Sequence, residues 1–205
     1  LNRYLEAMTR CVEHHGGQVD KFIGDAVMAL YAPSAHEPDE ADRAVASAHY
    51  MQAELDRFNR TLPPGVKPLR AGIGLHAGPV VAGIIGSPQK RSFTVIGDAV
   101  NTASRLEGMT KALGASILVS EAVRERLSDP RRWLLVPLGA WRPKGRRRAV
   151  EVYALAGARN DAAAARAAAA RVPDAATGLD LFRARRFDRA ASAFRALADA
   201  SRPGE

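Results

Sequence analysis

Cysteine is nearly absent from this chain, because Cys11 is the only one among 205 residues. No disulfide can therefore form within one chain, which excludes a disulfide-stapled fold and favours a reducing compartment. Cys11 lies among apolar residues at helical spacing, and we interpret it as a small buried hydrophobe and not as a reactive thiol.

Long apolar runs are missing as well. No stretch approaches the roughly 18 consecutive apolar residues that a membrane-spanning helix needs, and no signal-peptide pattern opens the sequence. We therefore expect a cytoplasmic segment without membrane contact of its own, in a soluble protein or in the cytoplasmic part of a membrane-anchored one. With 47% hydrophobic and 25% charged residues, the chain can form one buried α/β core and a small appendage.

Acidic residues are outnumbered by basic ones, and the formal net charge is +8. Such a balance raises the hypothesis of nucleic-acid binding. The densest basic cluster lies at residues 142–148, and Trp141 is the only aromatic residue beside it. Neither zinc-ligand spacing nor an RNA-binding aromatic platform accompanies the cluster, so we expect no nucleic-acid partner and interpret most arginines as a solvated face.

Helical and strand-like periodicities alternate along the first 155 residues. An open α/β sheet is the architecture that such alternation predicts. The predicted helices cover residues 1–15, 39–59, 98 onward and 121–127. The predicted strands cover a hairpin within 18–31 and the segments 69–77, 80–85, 93–96, 115–120, 133–138 and 149–155.

The sequence FTVIGDAVNTASRLE at residues 93–107 is the most informative stretch. Gly97 and Asp98 predict a turn and an N-cap, and Asn101 and Arg105 follow on one face of a helix. A guanidinium fork beside a neutral amide suits a phosphate and its sugar, so the pair indicates a nucleotide. From spacing alone, Asn101 and Arg105 are equally well interpreted as an ordinary solvated pair on a surface helix. The opposite, apolar stripe is expected to consist of Val100, Ala103, Leu106 and Met109.

Residues 18–31 form a second informative stretch, in which two apolar runs meet at Gly24 and Asp25. This pattern predicts a β-hairpin whose tip carries a carboxylate that could hold a cation. A Gly-Asp pair taken alone is more often only a turn.

Four sequence blocks occur in the order KFIGDAVMA (21–29), GIGLHAG (72–78), FTVIGDAVNTASRLE (93–107) and PKG (143–145) followed by VEVY (150–153). Together they resemble the catalytic domain of class III nucleotidyl cyclases, which make cyclic AMP or cyclic GMP. The resemblance implies a ferredoxin-like nucleotide cyclase fold of the α+β type. In that fold a mixed, mainly antiparallel sheet has helices on one face, and a helical C-terminal tail follows here.

The resemblance also implies roles for individual residues. Asp25 would bind divalent metal, normally two Mg²⁺ (or Mn²⁺) ions per site that activate the ribose 3′-hydroxyl. Asn101 would orient the ribose, and Arg105 would stabilise charge on the α-phosphate. Lys144 would contact the terminal phosphates, with plain surface charge as the alternative.

The resemblance further implies that Lys21 and Thr94 select the purine base of the nucleotide. Lysine can donate to adenine N1 and the threonine hydroxyl can accept from the exocyclic amine, whereas guanine would oppose donor to donor. ATP is therefore favoured over GTP. Threonine at this position resembles the class IIIb subgroup, and a β-branched strand residue without a ligand is the alternative interpretation.

In the cyclase family that the sequence resembles, two chains share each active site, so the resemblance implies a homodimer. The expected function is an adenylate cyclase that converts ATP to 3′,5′-cyclic AMP and pyrophosphate. A catalytically degenerate domain that serves dimerisation or nucleotide sensing is the alternative, and a basic nucleic-acid binder ranks third.

The chain divides into a predicted catalytic domain (1–157), an Ala-rich linker (158–177) and a helical tetratricopeptide-like segment (178–205) that could contact a protein partner. It begins with Leu1 inside a predicted helix. The family's first strand, with another metal-binding aspartate and a phosphate-binding loop, would precede this helix. We therefore expect a fragment of a larger cyclase, with little or no activity alone.

Overall fold

The computed structural model describes residues 1–33, 40–87, 89–141 and 149–161. Its helices are α1 (Asn2–His14), α2 (Glu40–Arg60), α3 (Asp98–Leu113) and α4 (Glu121–Arg124), with a 3₁₀ turn at Pro130–Arg132. Its strands are β1 (Gln18–Ile23), β2 (Ala26–Leu30), β3 (Ile73–Leu75), β4 (Val81–Ser87), β5 (Lys90–Ile96), β6 (Ile117–Ser120), β7 (Trp133–Trp141) and β8 (Val150–Ala158). The predicted order of elements is confirmed, although α4 and β3 are shorter than expected.

A four-stranded mixed sheet has the strand order β3-β6-β8-β7. β3 and β6 run parallel, whereas the pairs β6–β8 and β7–β8 are antiparallel. The β1–β2 and β4–β5 hairpins make two further sheets. The mixed, mainly antiparallel architecture with packed helices is confirmed, but the described strands are divided among three sheets and do not form one open sheet.

Helices cover both faces of the four-stranded sheet at β6, in which every residue is buried. Val119 packs in one cluster with Val45 of α2, whereas Leu118 packs in another with Leu106 of α3. Successive side chains of a strand point to opposite faces, so α2 and α3 lie on opposite sides. The resemblance predicts helices on one face of the sheet, whereas the structure has them on both. The reason is that β6 is a continuous apolar run, so both of its faces must be covered.

α1 packs on α2 through a smaller cluster that contains Ala7, Met8 and Cys11. Cys11 is 2% exposed, and its Sγ donates to the carbonyl oxygen of Ala7 at 3.1 Å. Burial is the largest cause of a raised pKa of the Cys11 thiol, which keeps it protonated near neutral pH. The interpretation of Cys11 as a buried hydrophobe is confirmed.

The predicted apolar face of α2 is also present. Val45 is fully buried and Leu55 is 4% exposed, whereas Met51 and Phe58 are half-buried. No helix within the described ranges is long and apolar enough to cross a bilayer.

Gly72, just before β3, and Gly74, within it, allow a closer approach to α3 than a residue with a Cβ atom would allow. A Cβ at Gly74 would overlap the backbone oxygen of Ala103 and the backbone nitrogen of Glu107. A Cβ at Gly72 would meet the side chain of Thr110. Backbone atoms within a helix cannot move aside individually, so Gly74 fixes the distance between β3 and α3.

We expect Gly74→Ala to destabilise the domain by about 3 kcal/mol, since the new methyl group must push α3 away from β3. For a chain of this size, that corresponds to a fall in Tm of roughly 10 °C, measurable by thermal unfolding. Gly108→Ala is the matched control on α3, because nothing lies within 4 Å of its added Cβ. There alanine should stabilise the helix by about 1 kcal/mol. Equal Tm values for the two variants would contradict this account of Gly74.

Candidate active site

Helix α3 presents Asn101 and Arg105 on its exposed face, one turn apart. The buried residues of the helix are Ala99, Thr102, Leu106 and Thr110. The prediction that the amide and the guanidinium point away from the core is therefore confirmed. The buried stripe itself is rotated from the expected one, of which only Leu106 is fully buried.

α3 begins at the predicted pair of Gly97 and Asp98. Gly97 occupies the N-cap position and Asp98 is the first helical residue, with no side-chain capping hydrogen bond. A Cβ at Gly97 would lie 3.1 Å from the carbonyl oxygen of Pro79, so this glycine permits a close backbone approach. The Asp98 carboxylate stands in the first turn, where negative charge is favourable for the helix dipole.

Lys21 and Thr94 are brought into contact although 73 residues separate them in sequence. The Lys21 ammonium, whose side chain is 39% exposed, donates to the Thr94 hydroxyl. Thr94 lies on β5 and is 7% exposed. β5 ends at Ile96 and α3 begins two residues later, so Thr94 is placed shortly before the helix that carries Asn101.

Asp20 joins this pair, and sequence reasoning missed it. Its Oδ2 lies 3.2 Å from Lys21 Nζ and accepts a hydrogen bond of 3.2 Å from the Thr94 hydroxyl. The Asp20 side chain is only 3% exposed. The three side chains thus form a compact polar cluster of carboxylate, ammonium and hydroxyl, which we call the Asp20 cluster.

A β-bulge explains how two consecutive residues of β1 reach the same partner. Val19 pairs with Ala29, but Lys21 pairs with Met28, the very next residue of β2 on that side. Asp20 is therefore the extra residue of the bulge, which breaks the alternation of faces. In a regular strand Asp20 and Lys21 would point to opposite sides. The available signal was an acid beside a base between the apolar residues Val19 and Phe22 of β1.

Arg43 of α2 holds the β1–β2 hairpin at both ends. Its guanidinium donates to the carbonyl oxygen of Gly16 at 2.6 Å and to that of Ala32 at 2.5 Å. Arg43 is 8% exposed, so these bonds are formed away from water. The hairpin that carries Asp20 and Lys21 is thereby attached to the helical layer at its base.

Asp25 lies at the exposed tip of the same hairpin, directly after Gly24 with φ 65°. The pKa of the neighbouring Tyr4 is raised, mainly by burial and in second place by the charge of Asp25. A carboxylate suits a hard divalent cation. Within the described ranges, however, no three His, Cys, Asp or Glu side chains are grouped so that they could hold a metal ion. The described residues thus supply one carboxylate ligand, Asp25, and do not by themselves fit a two-ion site.

Lys144, the predicted contact of the terminal phosphates, lies outside the described residues. β7 ends at Trp141 and β8 begins at Val150, so the predicted strand pair that encloses the basic segment is confirmed. The residues predicted as a tetratricopeptide-like unit (178–205) and all of the linker after Asp161 also lie outside the described part.

A groove of about 660 Å³ lies elsewhere, between α2 and the strands β7 and β8. Its lining includes His49, Trp133 and Arg131 but none of the predicted site residues. Its one carboxylate, Asp129, is paired with Arg131 at 3.1 Å. The chemistry predicted from the sequence is therefore associated with the hairpin, β5 and α3, and not with this groove.

Known proteins are similar to this chain in sequence. The family model of the adenylate and guanylate cyclase catalytic domain matches residues 1–157. An adenylate cyclase from Anabaena cylindrica is 40% identical over 159 residues, which are 75% of this chain and 31% of that protein. The chain thus spans about a third of the length of this relative.

Solved structures show the same likeness. A bacterial light-regulated adenylyl cyclase superposes with a TM-score of 0.65 at 33% identity, over 75% of this chain and 43% of the other. The guanylyl cyclase Cya2 gives a TM-score of 0.66 at 33% identity, over 79% and 81% of the two chains. Both nucleotide specificities thus occur among similar structures. By its sequence blocks, its fold and the family match over residues 1–157, the chain belongs to the adenylate and guanylate cyclase catalytic domain family.

Proposed function

We propose that this domain is the catalytic part of an adenylate cyclase that converts ATP to 3′,5′-cyclic AMP and pyrophosphate. The observation that carries the proposal is the contact of Lys21 with Thr94, since it joins the two side chains expected to read the base. The likeness to the Anabaena cylindrica adenylate cyclase supports the same activity.

The chemistry of the two side chains favours adenine. Lys21 has three N–H donors and can give one to the unprotonated N1 of adenine, while Thr94 oxygen can accept from the exocyclic amine. Guanine presents an N–H where adenine has a bare nitrogen and a carbonyl where adenine has an amine. Lys21 would then face the guanine N–H, donor against donor, in a partly buried site.

In the proposed reaction, the ribose 3′-oxygen attacks the α-phosphorus. The new P–O bond closes the ring, the bond to the pyrophosphate oxygen breaks, and the 3′-hydroxyl proton leaves. Asn101 would hold the ribose in line for this attack, and the Arg105 guanidinium would stabilise negative charge that grows on the α-phosphate oxygens. Lys144 is the proposed contact for the terminal phosphates.

Asp25 is proposed as one carboxylate ligand of Mg²⁺ or Mn²⁺, with two ions per site as the family resemblance implies. Its exposed position at the hairpin tip keeps the carboxylate accessible to an ion. Other oxygen ligands are needed to complete such a site.

We also propose a homodimer that shares its sites between chains. The β4–β5 hairpin exposes large apolar side chains in cross-strand pairs, Ile84 with Phe93 and Val81 with Ile96. These four residues are between 52% and 72% exposed. A surface of this kind is typical of a protein–protein interface.

The test uses the full-length gene product incubated with ATP, and separately with GTP, in Mg²⁺ or Mn²⁺, with products resolved by mass. We expect cyclic AMP and pyrophosphate in equal amounts, and cyclic GMP formation slower by at least about tenfold. ATP binding without turnover would instead favour the degenerate, nucleotide-sensing domain. Cyclic GMP as the main product would overturn the assignment of the base.

A further inference from the structure

The Asp20 cluster constrains the direction of every hydrogen bond that it contains. A carboxylate has only acceptors, and an ammonium has only donors. The bond of 3.2 Å between Thr94 Oγ1 and Asp20 Oδ2 must therefore use the single proton of the Thr94 hydroxyl. The contact between Lys21 and Thr94 uses a lysine proton.

This proton accounting leaves Thr94 with no hydrogen to offer a ligand. One lone pair of its oxygen faces Lys21, and the other is free for an incoming donor. A threonine hydroxyl is otherwise ambiguous, since it can rotate and donate to a carbonyl as readily as it accepts from an amine. The Asp20 carboxylate, 3% exposed, removes that ambiguity because water does not compete for it.

We propose that Asp20 is a specificity-determining positioning residue, which fixes the Thr94 hydroxyl as an acceptor and so makes the domain prefer a purine with an amine at position 6 (adenine) over one with a carbonyl there (guanine). This rests on the proposed function in one respect, since it takes Lys21 and Thr94 as the groups that contact the base. Asp20 itself acts through Thr94 and touches no substrate atom.

Removal of the carboxylate makes the Thr94 hydroxyl ambiguous again. Lys21 Nζ and Thr94 Oγ1 both contact the same oxygen, Oδ2 of Asp20, so the amide oxygen of Asp20→Asn could keep both bonds. Asp20→Ala has no side-chain acceptor, and the Thr94 proton would then be free to point at the ligand. The guanine carbonyl would find a donor there, whereas the adenine amine could still donate to the Thr94 oxygen.

The experiment measures kcat/KM for ATP and for GTP, and equilibrium binding of both nucleotides, with full-length protein. We expect Asp20→Ala to lower the ATP-to-GTP ratio by about tenfold or more in both assays. Asp56→Ala, at an exposed aspartate on α2, should leave the ratio unchanged. Thermal unfolding of each variant shows whether it is folded.

Thr94 variants provide a second route that keeps Asp20 in place. Thr94→Ser retains the hydroxyl and should keep the ATP preference, whereas Thr94→Val should reduce it. If Asp20 acts through Thr94, adding Asp20→Ala to Thr94→Val should change the ratio no further. An unchanged ratio in a folded Asp20→Ala protein, or an equal further loss in the Thr94→Val background, would overturn the proposal. Wild-type protein that prefers ATP in binding but yields no cyclic AMP would overturn the proposed function alone.

Discussion

Replacement of Arg105 by alanine is expected to lower kcat for cyclic AMP formation by about 10²–10³-fold, with a much smaller change in KM for ATP. The reason is that negative charge accumulates on the α-phosphate oxygens only as the 3′-oxygen attacks. A guanidinium aimed at those oxygens therefore stabilises the transition state more than bound ATP. Steady-state kinetics on the full-length protein measure both constants.

The fold should tolerate this change. Arg105 lies on the exposed face of α3, whereas Leu106 and Thr102 supply the buried contacts of the helix. Substitutions on such a surface usually alter the free energy of unfolding by less than about 0.5 kcal/mol. The loss of kcat in Arg105→Ala should therefore occur without a matching fall in Tm.

Two companion variants separate charge from geometry. Arg105→Lys keeps the positive charge but loses the planar fork, so its kcat should fall between those of wild type and Arg105→Ala. Lys111→Ala removes an exposed cation from the last turn of the same helix and should leave kcat within about twofold of wild type. If Arg105→Ala keeps wild-type kcat, the pair Asn101 and Arg105 is only a solvated surface pair.

The sequence was sufficient to predict the elements that depend on local pattern. Helical periodicity placed α1 and α2 within two residues of their observed ends, and the glycines at 16 and 17 marked the end of α1. The hairpin turn at Gly24 and Asp25 was also predictable, because an adjacent glycine and acid between two apolar runs is a strong local signal.

Long-range features were out of reach of such patterns. The bulge at Asp20 depends on the register between β1 and β2, which the adjacent acid and base in β1 do not specify. The hydrogen bond between Asp20 and Thr94 joins residues 74 positions apart. The reason for Gly74, likewise, is visible only once β3 lies against α3. The roles of Lys21 and Thr94 came from family resemblance, and the structure adds the contact between them.

Mixing two inactive chains is the second large effect that we expect. Asp25→Ala and Asn101→Ala homodimers should each be almost inactive, because every site in them lacks either the metal-binding carboxylate or the ribose-orienting amide. When both full-length chains are co-expressed, random pairing makes half of the dimers mixed. Each mixed dimer holds one site with both defects and one with neither, so about a quarter of wild-type activity should return.

The decisive control pairs two defects from the same side of the site. Asn101 and Arg105 lie on one helix, so a shared site takes both from the same chain. Co-expression of Asn101→Ala with Arg105→Ala therefore leaves every site with one defect, and no activity should return. Recovery in both mixtures would indicate an artefact such as recombination, and recovery in neither would mean that each chain builds its site alone. Only recovery confined to the mixture of Asp25→Ala with Asn101→Ala fits a nucleotide that lies between two chains.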